Sequence, residues 1–366
     1  MRHTLKDAGW RRWLRMGSAF AAMALLVAAC APDEDEPAAV EEPEDVVEEP
    51  EPDEDEAGDA VACEEEHTLV WAFITPEGSP YDAGGVAFGE HLEEHAPGCF
   101  DFQSFPAGQL GDERDIEVAM QSGAIQMGVG AFALEEFVPE APLTMTPFVF
   151  EDRDHTYRVI DGPAADDVAD LIEDRAGFKT LGYFTAGDRH ILSTEPVRSE
   201  EDLEGLSLRV APSDLQISIW SEIGVVPVDL PFGDMYTGLQ TGTVDAIELD
   251  PGLIVGLSLY EVTDYYILTD HLTGAYPLIM DMAFYDALDP ELQDVIDAAG
   301  EAAEEANHAR DEELIEGALE ALETEHGIEV IEFDNSELRE RVRSVYEDFP
   351  TALPPDVLEL ILAEGS

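Results

Sequence analysis

Short apolar strands alternate with helices along most of this 366-residue chain, and that alternation limits the fold more than any other feature. Strand-like runs at 67–74, 99–105 and 126–130 are separated by helical patterns at 81–95 and 113–122. Further strands read at 180–183, 190–193, 207–210 and 246–249, with helices at 164–175, 214–223 and 233–241. Ser199-Glu200-Glu201-Asp202 has the form of a capping box and starts another short helix. After Asp289 an Ala- and Glu-rich helical stretch runs to about residue 326, followed by a strand at 328–333 and a helix from 336 to about 349. Strands taking turns with helices predict α/β architecture with parallel strands. No internal repeat and no transmembrane segment is visible in the body.

One of these strands carries a costly residue. Leu206-Ser207-Leu208-Arg209-Val210-Ala211 is apolar except for Ser207 and Arg209, in a chain with 17 Lys+Arg against 84 Asp+Glu. A guanidinium in an apolar strand is unfavourable unless something anionic pairs with it. Pro212-Ser213-Asp214 follows and reads as a helix start, where backbone N–H groups and the helix dipole also favour an anion. Arg209 is therefore the candidate anchor of a site for a small carboxylate.

The ends of the chain obey a different logic. Arg11, Arg12 and Arg15 precede an apolar run at 19–29, too short to span a bilayer and of the length of a signal peptide. Val27-Ala28-Ala29-Cys30 resembles a bacterial lipobox, which implies cleavage before Cys30 and lipidation of its thiol. Residues 31–62 are nearly all Asp, Glu, Pro, Ala and Val, a composition that cannot build a core, and an extended acidic tether is expected.

The body beyond the tether keeps roughly 67 acidic and 12 basic residues, once the 16 acidic tether residues, Asp7 and the five basic residues before Cys30 are set aside. Such a surface repels itself unless salt screens it, so a salt-adapted protein is expected. Nucleic-acid binding is excluded, since no basic face could meet phosphates.

Apart from Cys30 the cysteines are Cys63 and Cys99, which precede neighbouring strands of one β-α-β unit. The starts of parallel neighbours lie close together, and an oxidising compartment favours a Cys63–Cys99 disulfide.

Two motifs suggest metals and carry less weight. His91-Leu92-Glu93-Glu94-His95 fits a zinc-peptidase pattern, but the core stripe of that helix reads as Tyr81, Gly84, Phe88 and Leu92, which turns His91 and His95 toward solvent. Tyr265-Tyr266, a possible ferric ligand pair, sits in a run better read as a core strand. No metal, cofactor or catalytic residue is assigned, and no enzymatic reaction is expected.

From Gly187 onward a family resemblance emerges. Gly187-Asp188-Arg189-His190-Ile191-Leu192-Ser193 and Asp202-Leu203-Glu204-Gly205-Leu206-Ser207-Leu208-Arg209-Val210 resemble the core signature of DctP-type solute-binding proteins of TRAP transporters. So do Leu230-Pro231-Phe232-Gly233-Asp234-Met235-Tyr236 with the residues to Gly242, Val244-Asp245-Ala246-Ile247-Glu248, and Tyr260-Glu261-Val262. Upstream, Phe105-Pro106-Ala107-Gly108-Gln109-Leu110-Gly111-Asp112-Glu113-Arg114 and Pro147-Phe148-Val149-Phe150 extend the likeness, which covers about 68–349.

The resemblance implies a two-lobe periplasmic-binding-protein-like α/β fold with crossing strands and a long hinge-spanning helix. It implies a ligand carboxylate on Arg209, with Arg189 nearby, an aromatic wall at Phe232, and Thr75 in the first strand–helix loop on the opposite lobe. Arg209 and Arg189 could instead form interlobe salt bridges and Phe232 could be plain core; Glu248 could bridge an arginine or touch solute. Leu249 departs from the family, standing where an Asn often hydrogen-bonds the ligand, which would make the pocket more apolar there and loosens a strict C4-dicarboxylate assignment.

The expected organisation is signal peptide 1–30, tether 31–62, lobe I 63–185 completed by about 275–315, lobe II 186–274 completed by about 316–350, and a tail 351–366. The expected function is an extracytoplasmic, lipid-anchored binding protein, in a periplasm or at the outer face of a cell membrane. It captures an organic acid and hands it to the small and large membrane subunits of a TRAP permease. Rival readings are an ABC-type binding protein for metal or amino acid, a secreted zinc hydrolase using His91, Glu94 and His95, and an adhesive surface lipoprotein.

Overall fold

The computed structural model describes residues 60–139 and 141–348. The signal segment with Cys30, the tether up to residue 59 and the tail 351–366 lie outside the described residues. The last tether residues do not behave as a free linker: the Val61 N–H donates to the His95 carbonyl (2.7 Å) and the side chain packs on the core.

In chain order the elements are β1 (His67–Ala72), α1 (Pro80–His95), β2 (Phe100–Phe105), α2 (Glu113–Gln121) and β3 (Met127–Val129). Then come α3 (Arg153–Ile160), α4 (Pro163–Ala176), β4 (Phe178–Ser193), β5 (Ser207–Val210), α5 (Asp214–Ile223) and β6 (Val226–Asp229). The chain continues with α6 (Met235–Thr241), β7 (Ala246–Leu249), α7 (Pro251–Gly256), β8 (Tyr265–Asp281), α8 (Met282–Asp286), α9 (Pro290–Thr324), β9 (Glu329–Glu332) and α10 (Ser336–Asp348). The strands form a sheet in the order β2-β1-β3-β8-β4-β7-β5-β6, with β9 also pairing β8.

Parallel pairing holds at the two ends of this sheet. β1 pairs parallel with β2 and β3, and β5 pairs parallel with β6 and β7. The middle differs from the all-parallel expectation. The 16-residue β4 and 17-residue β8 run antiparallel to each other, and β8 is antiparallel to β3 as β4 is to β7. β8 lies beside β3 at residues 278–280 and beside β9 at 265–268, and through β4, which pairs β7, it joins the two ends. Register shifts between Thr180 and Gly182, Thr185 and Asp188, and Arg189 and Ile191 interrupt β4, which is why its sequence reads as two short strands.

Helix α9, 35 residues and roughly 52 Å long at 1.5 Å per residue, packs on α1, β4 and α7. Its seat on β4 requires close approach at Gly300, where a Cβ would stand 2.6 Å from the Leu181 carbonyl oxygen. A buried polar seam locks it in place. Asn307 accepts from the Thr185 N–H (2.7 Å) and donates to its carbonyl (3.2 Å), and Asp311 accepts from Thr185 Oγ1 (2.9 Å) and pairs with Arg153 (2.7 Å). Among the described residues no helix is long and apolar enough to cross a membrane.

The two expected cysteines are joined. Cys63 and Cys99, with Cα atoms 5.7 Å apart, form a disulfide at the starts of β1 and β2. The motifs suggestive of metals have ordinary surroundings. His91 and His95 stack on each other with ring centroids 4.0 Å apart while Glu94 is exposed. Tyr266 is buried in β8, its hydroxyl donating to the Leu249 carbonyl (3.1 Å).

Candidate functional site

β5 is apolar on both sides of Arg209 and delivers it, 3% exposed, to the wall of a cavity of about 620 Å³. Nε donates to the Leu230 carbonyl (2.8 Å), which fixes the plane of the guanidinium. Among the described residues Arg209 forms no ion pair. Burial lowers its pKa from the usual arginine value, with Glu248 and Glu113 pulling the other way and Arg189 adding to the burial effect. A buried cation without a carboxylate partner at a cavity wall suits an anion arriving from outside.

The same cavity is lined by Ile74, Glu113, Asp229 and Phe232. A narrower recess of about 30 Å³ shares Arg209, Glu113 and Phe232 with it and adds Thr75, Arg189 and Tyr276. Four of the six residues expected to meet ligand, Arg209, Arg189, Phe232 and Thr75, thus share one recess. Thr75 lies just beyond β1, its hydroxyl bonded to Ser79 Oγ (2.8 Å) at the N-cap of α1. Phe232 is half-buried in the turn before α6.

Arg189 has its anion already. Its guanidinium donates through Nη2 to Glu248 Oε1 (2.8 Å) and to the Glu248 carbonyl (2.9 Å), through Nε to Oε2, and through Nη1 to the Tyr276 hydroxyl (3.3 Å). Burial alone would raise the Glu248 pKa, yet Arg189, helped by His271 at 3.5 Å, holds that carboxyl down at about 2. Glu248, 2% exposed, therefore bridges an arginine. Leu249 points the other way, into a buried cluster with Leu192 and Tyr266, and does not line the cavity.

The N-terminus of α5, expected to face the ligand, is occupied by the chain itself. Ser213 caps the helix by accepting from the Gln216 N–H, and its hydroxyl donates to Glu135 Oε2. The Leu215 N–H donates to Glu135 Oε1 (3.3 Å). Glu135 comes from the turn after β3, so the anion that satisfies this helix end arrives from the other end of the sheet.

The residue that sequence reading passed over is Glu113, the first of α2, which lies along both the main cavity and the recess. Its signal was its place in the upstream motif after Asp112, masked by the abundance of acidic residues.

Comparison with known proteins then identifies the family. The family model described as bacterial extracellular solute-binding protein, family 7 (DctP) matches residues 72–351. The chain belongs to this family. The 2,3-diketo-L-gulonate-binding periplasmic protein of Escherichia coli is 30% identical over 272 residues, covering 72% of this chain and 80% of that protein. The sialic acid-binding periplasmic protein of Vibrio cholerae is 26% identical over 273 residues, 74% of this chain and 85% of that protein. Among solved structures, a TRAP periplasmic solute-binding protein from Xanthobacter autotrophicus with bound β-D-galacturonate superposes with a TM-score of 0.77 at 25% identity, covering 81% of this chain and 99% of that one. Another from Polaromonas, bound to D-erythronate, gives 0.77 at 26% identity with the same coverage. The fold is the two-lobe α/β fold of TRAP solute-binding proteins.

Proposed function

We propose that this chain is the extracytoplasmic receptor of a TRAP transporter and captures a small organic acid between its lobes, with the carboxylate on Arg209, for delivery to the membrane permease. The observation that carries this reading is a buried arginine, in a family of solute-binding proteins, that has no ion-pair partner among the described residues and faces a cavity of about 620 Å³. Bidentate arginine–carboxylate pairing is directional and strong, and water excluded on closure strengthens it further. The related structures hold carboxylates such as galacturonate and erythronate, which supports a hydroxylated acid here.

In this reading Arg209, Thr75 and Phe232 contact the ligand, and Arg189 does so only while held by Glu248. The lobe limits are those of the sequence reading, 63–185 and 186–274 with their later segments. Cys30 carries a lipid that holds the protein at the outer face of a membrane, and the acidic surface adapts it to salt. A thermal-shift titration in high salt with D-galacturonate and D-erythronate tests the core of the proposal. Ligand-induced stabilisation is expected for wild type, strongly weakened in Arg209→Lys and absent in Arg209→Ala. An alanine variant that binds as wild type does would show that the carboxylate sits elsewhere.

A further inference from the structure

A second groove, of about 420 Å³, adjoins the ligand recess. Leu253 lines both, and Pro76, on the groove, directly follows Thr75, on the recess. One wall is the loop Pro76–Ser79, the other is α7, and α9 forms the floor. Along this floor α9 changes neighbours. A Cβ at Gly84 of α1 would stand 3.0 Å from the Ala303 carbonyl oxygen, and a Cβ at Gly252 of α7 would stand 3.1 Å from Leu314 Cβ. Arg310 lies between these two close contacts.

Arg310 Nε donates to the Gly78 carbonyl (3.0 Å), and Nη1 donates to Glu313 (2.6 Å). The ion pair with Glu313 spans three residues of one helix and is open to solvent, and such pairs contribute little. The carbonyl contact is of another kind, since it ties residues 232 apart in sequence. Gly78 has φ +77°, and a Cβ there would meet nothing within 4 Å, so the position needs glycine for its backbone conformation and not for space. The Gly78 N–H donates to Asp82 (2.8 Å) and the Ser79 N–H to the Pro76 carbonyl (3.2 Å). Ser79 Oγ in turn bonds Thr75 Oγ1. A continuous path thus runs from α9 through Gly78 and Ser79 to a hydroxyl in the recess. Glu77 and Gly78 are themselves exposed, so side-chain packing does little to hold the tip of the loop.

We propose that Arg310 is a positioning residue for ligand capture, holding the Gly78 carbonyl and so fixing the loop that sets the Thr75 hydroxyl against the ligand. This role rests on Thr75 meeting the ligand, as in the proposed function. Arg310 acts at a distance, since it lines neither the main cavity nor the recess.

The test has two arms. In the first, hydrogen exchange of the ligand-free protein follows the amides of residues 77–82 in wild type, Arg310→Met and Arg310→Lys. Methionine keeps the apolar stem without a donor, and lysine returns one. Exchange is expected to be roughly threefold faster or more in Arg310→Met and to fall back in Arg310→Lys. Equal exchange in all three would overturn the proposal whatever the ligand. In the second arm, D-galacturonate and D-erythronate are titrated calorimetrically into the same proteins, Thr75→Val and Thr75→Val/Arg310→Met, with ligand-free melting reporting folding separately. Arg310→Met is expected to weaken binding roughly fivefold, and Arg310→Lys to recover most of it. Added to Thr75→Val, Arg310→Met should change little, because it acts through that hydroxyl. Full additivity, or lower melting with unchanged affinity, would make Arg310 a purely structural residue and overturn the proposal. Wild type that binds neither acid, or Thr75→Val that binds as wild type does, would overturn the reading beneath the proposal and with it the role in capture, whereas the exchange result stands apart.

Discussion

Arg189 and Glu248 form a closed unit: both carboxylate oxygens and the main-chain carbonyl of Glu248 accept from one guanidinium, and both residues are buried between β4 and β7. Breaking a buried pair from one side leaves an uncompensated charge, which costs about 3–5 kcal/mol. Glu248→Leu and Arg189→Met are each expected to destabilise by that amount in urea titrations. Arg189→Met/Glu248→Leu together should cost less than the sum of the two singles, because no lone charge remains. Strictly additive losses would mean that the two residues stabilise the fold independently.

The Cys63–Cys99 bridge closes a loop with a sequence separation of 36, for which loop-closure entropy gives about 3–4 kcal/mol. Cys63→Ser/Cys99→Ser is expected to lose that stability while its ligand affinity holds, since the bridge lies at the starts of β1 and β2 and Thr75 lies beyond the other end of β1. Thiol titration of the denatured, unreduced protein should find neither of these cysteines free.

The acidic surface is expected to make salt a stabiliser. With a formal net charge of −67 over the whole chain, self-repulsion falls as the Debye length shrinks to about 3 Å at 1 M. The melting temperature is expected to climb between dilute buffer and molar sodium chloride, and sucrose at matched osmolarity should raise it less. Equal melting temperatures across that salt range would show that the charges are balanced locally.

What could be read from the sequence followed how local each signal was. Arg209 in its apolar strand, the Ser213 cap and the Ala- and Glu-rich helix all rest on neighbouring residues, and the structure places them as strand, cap and α9. Contacts across the fold were invisible. Glu135 lies 78 residues before Ser213 in sequence yet occupies the helix end where a ligand was expected. Leu249 and Glu248 differ by one strand position, so one turns to the core and the other to Arg189. Motif likeness identified both positions without fixing which way either side chain points. β8 beyond residue 268 was missed because its run of Thr, Asp and His hides a strand that is buried by β4. Glu113 was missed because carboxylates are so common in this chain that one more carries no information until a cavity singles it out.

Asp250 should make stability depend on pH. Its Oδ1 caps α7 by accepting from the Leu253 N–H (2.8 Å), while Oδ2 is buried without a partner. The side chain is packed over Gly187, where a Cβ would stand 2.5 Å from Asp250 Cβ. Burial raises its pKa to about 7, with the Leu253 N–H only partly opposing and Asp311 adding repulsion. The unfolded chain releases this proton near pH 3.9. Between those values the folded state holds more protons than the unfolded one, so stability falls as pH rises from about 4 to about 7 and is level above. At 1.36 kcal/mol per unit, this contribution amounts to about 4 kcal/mol at most. Asp250→Asn keeps a capping oxygen and has nothing to titrate. Relative to wild type it is expected to be comparable at pH 4 and more stable at pH 8, measured by urea midpoints at constant salt. Parallel pH profiles for the two proteins would mean that Asp250 is already charged in the native state at pH 4.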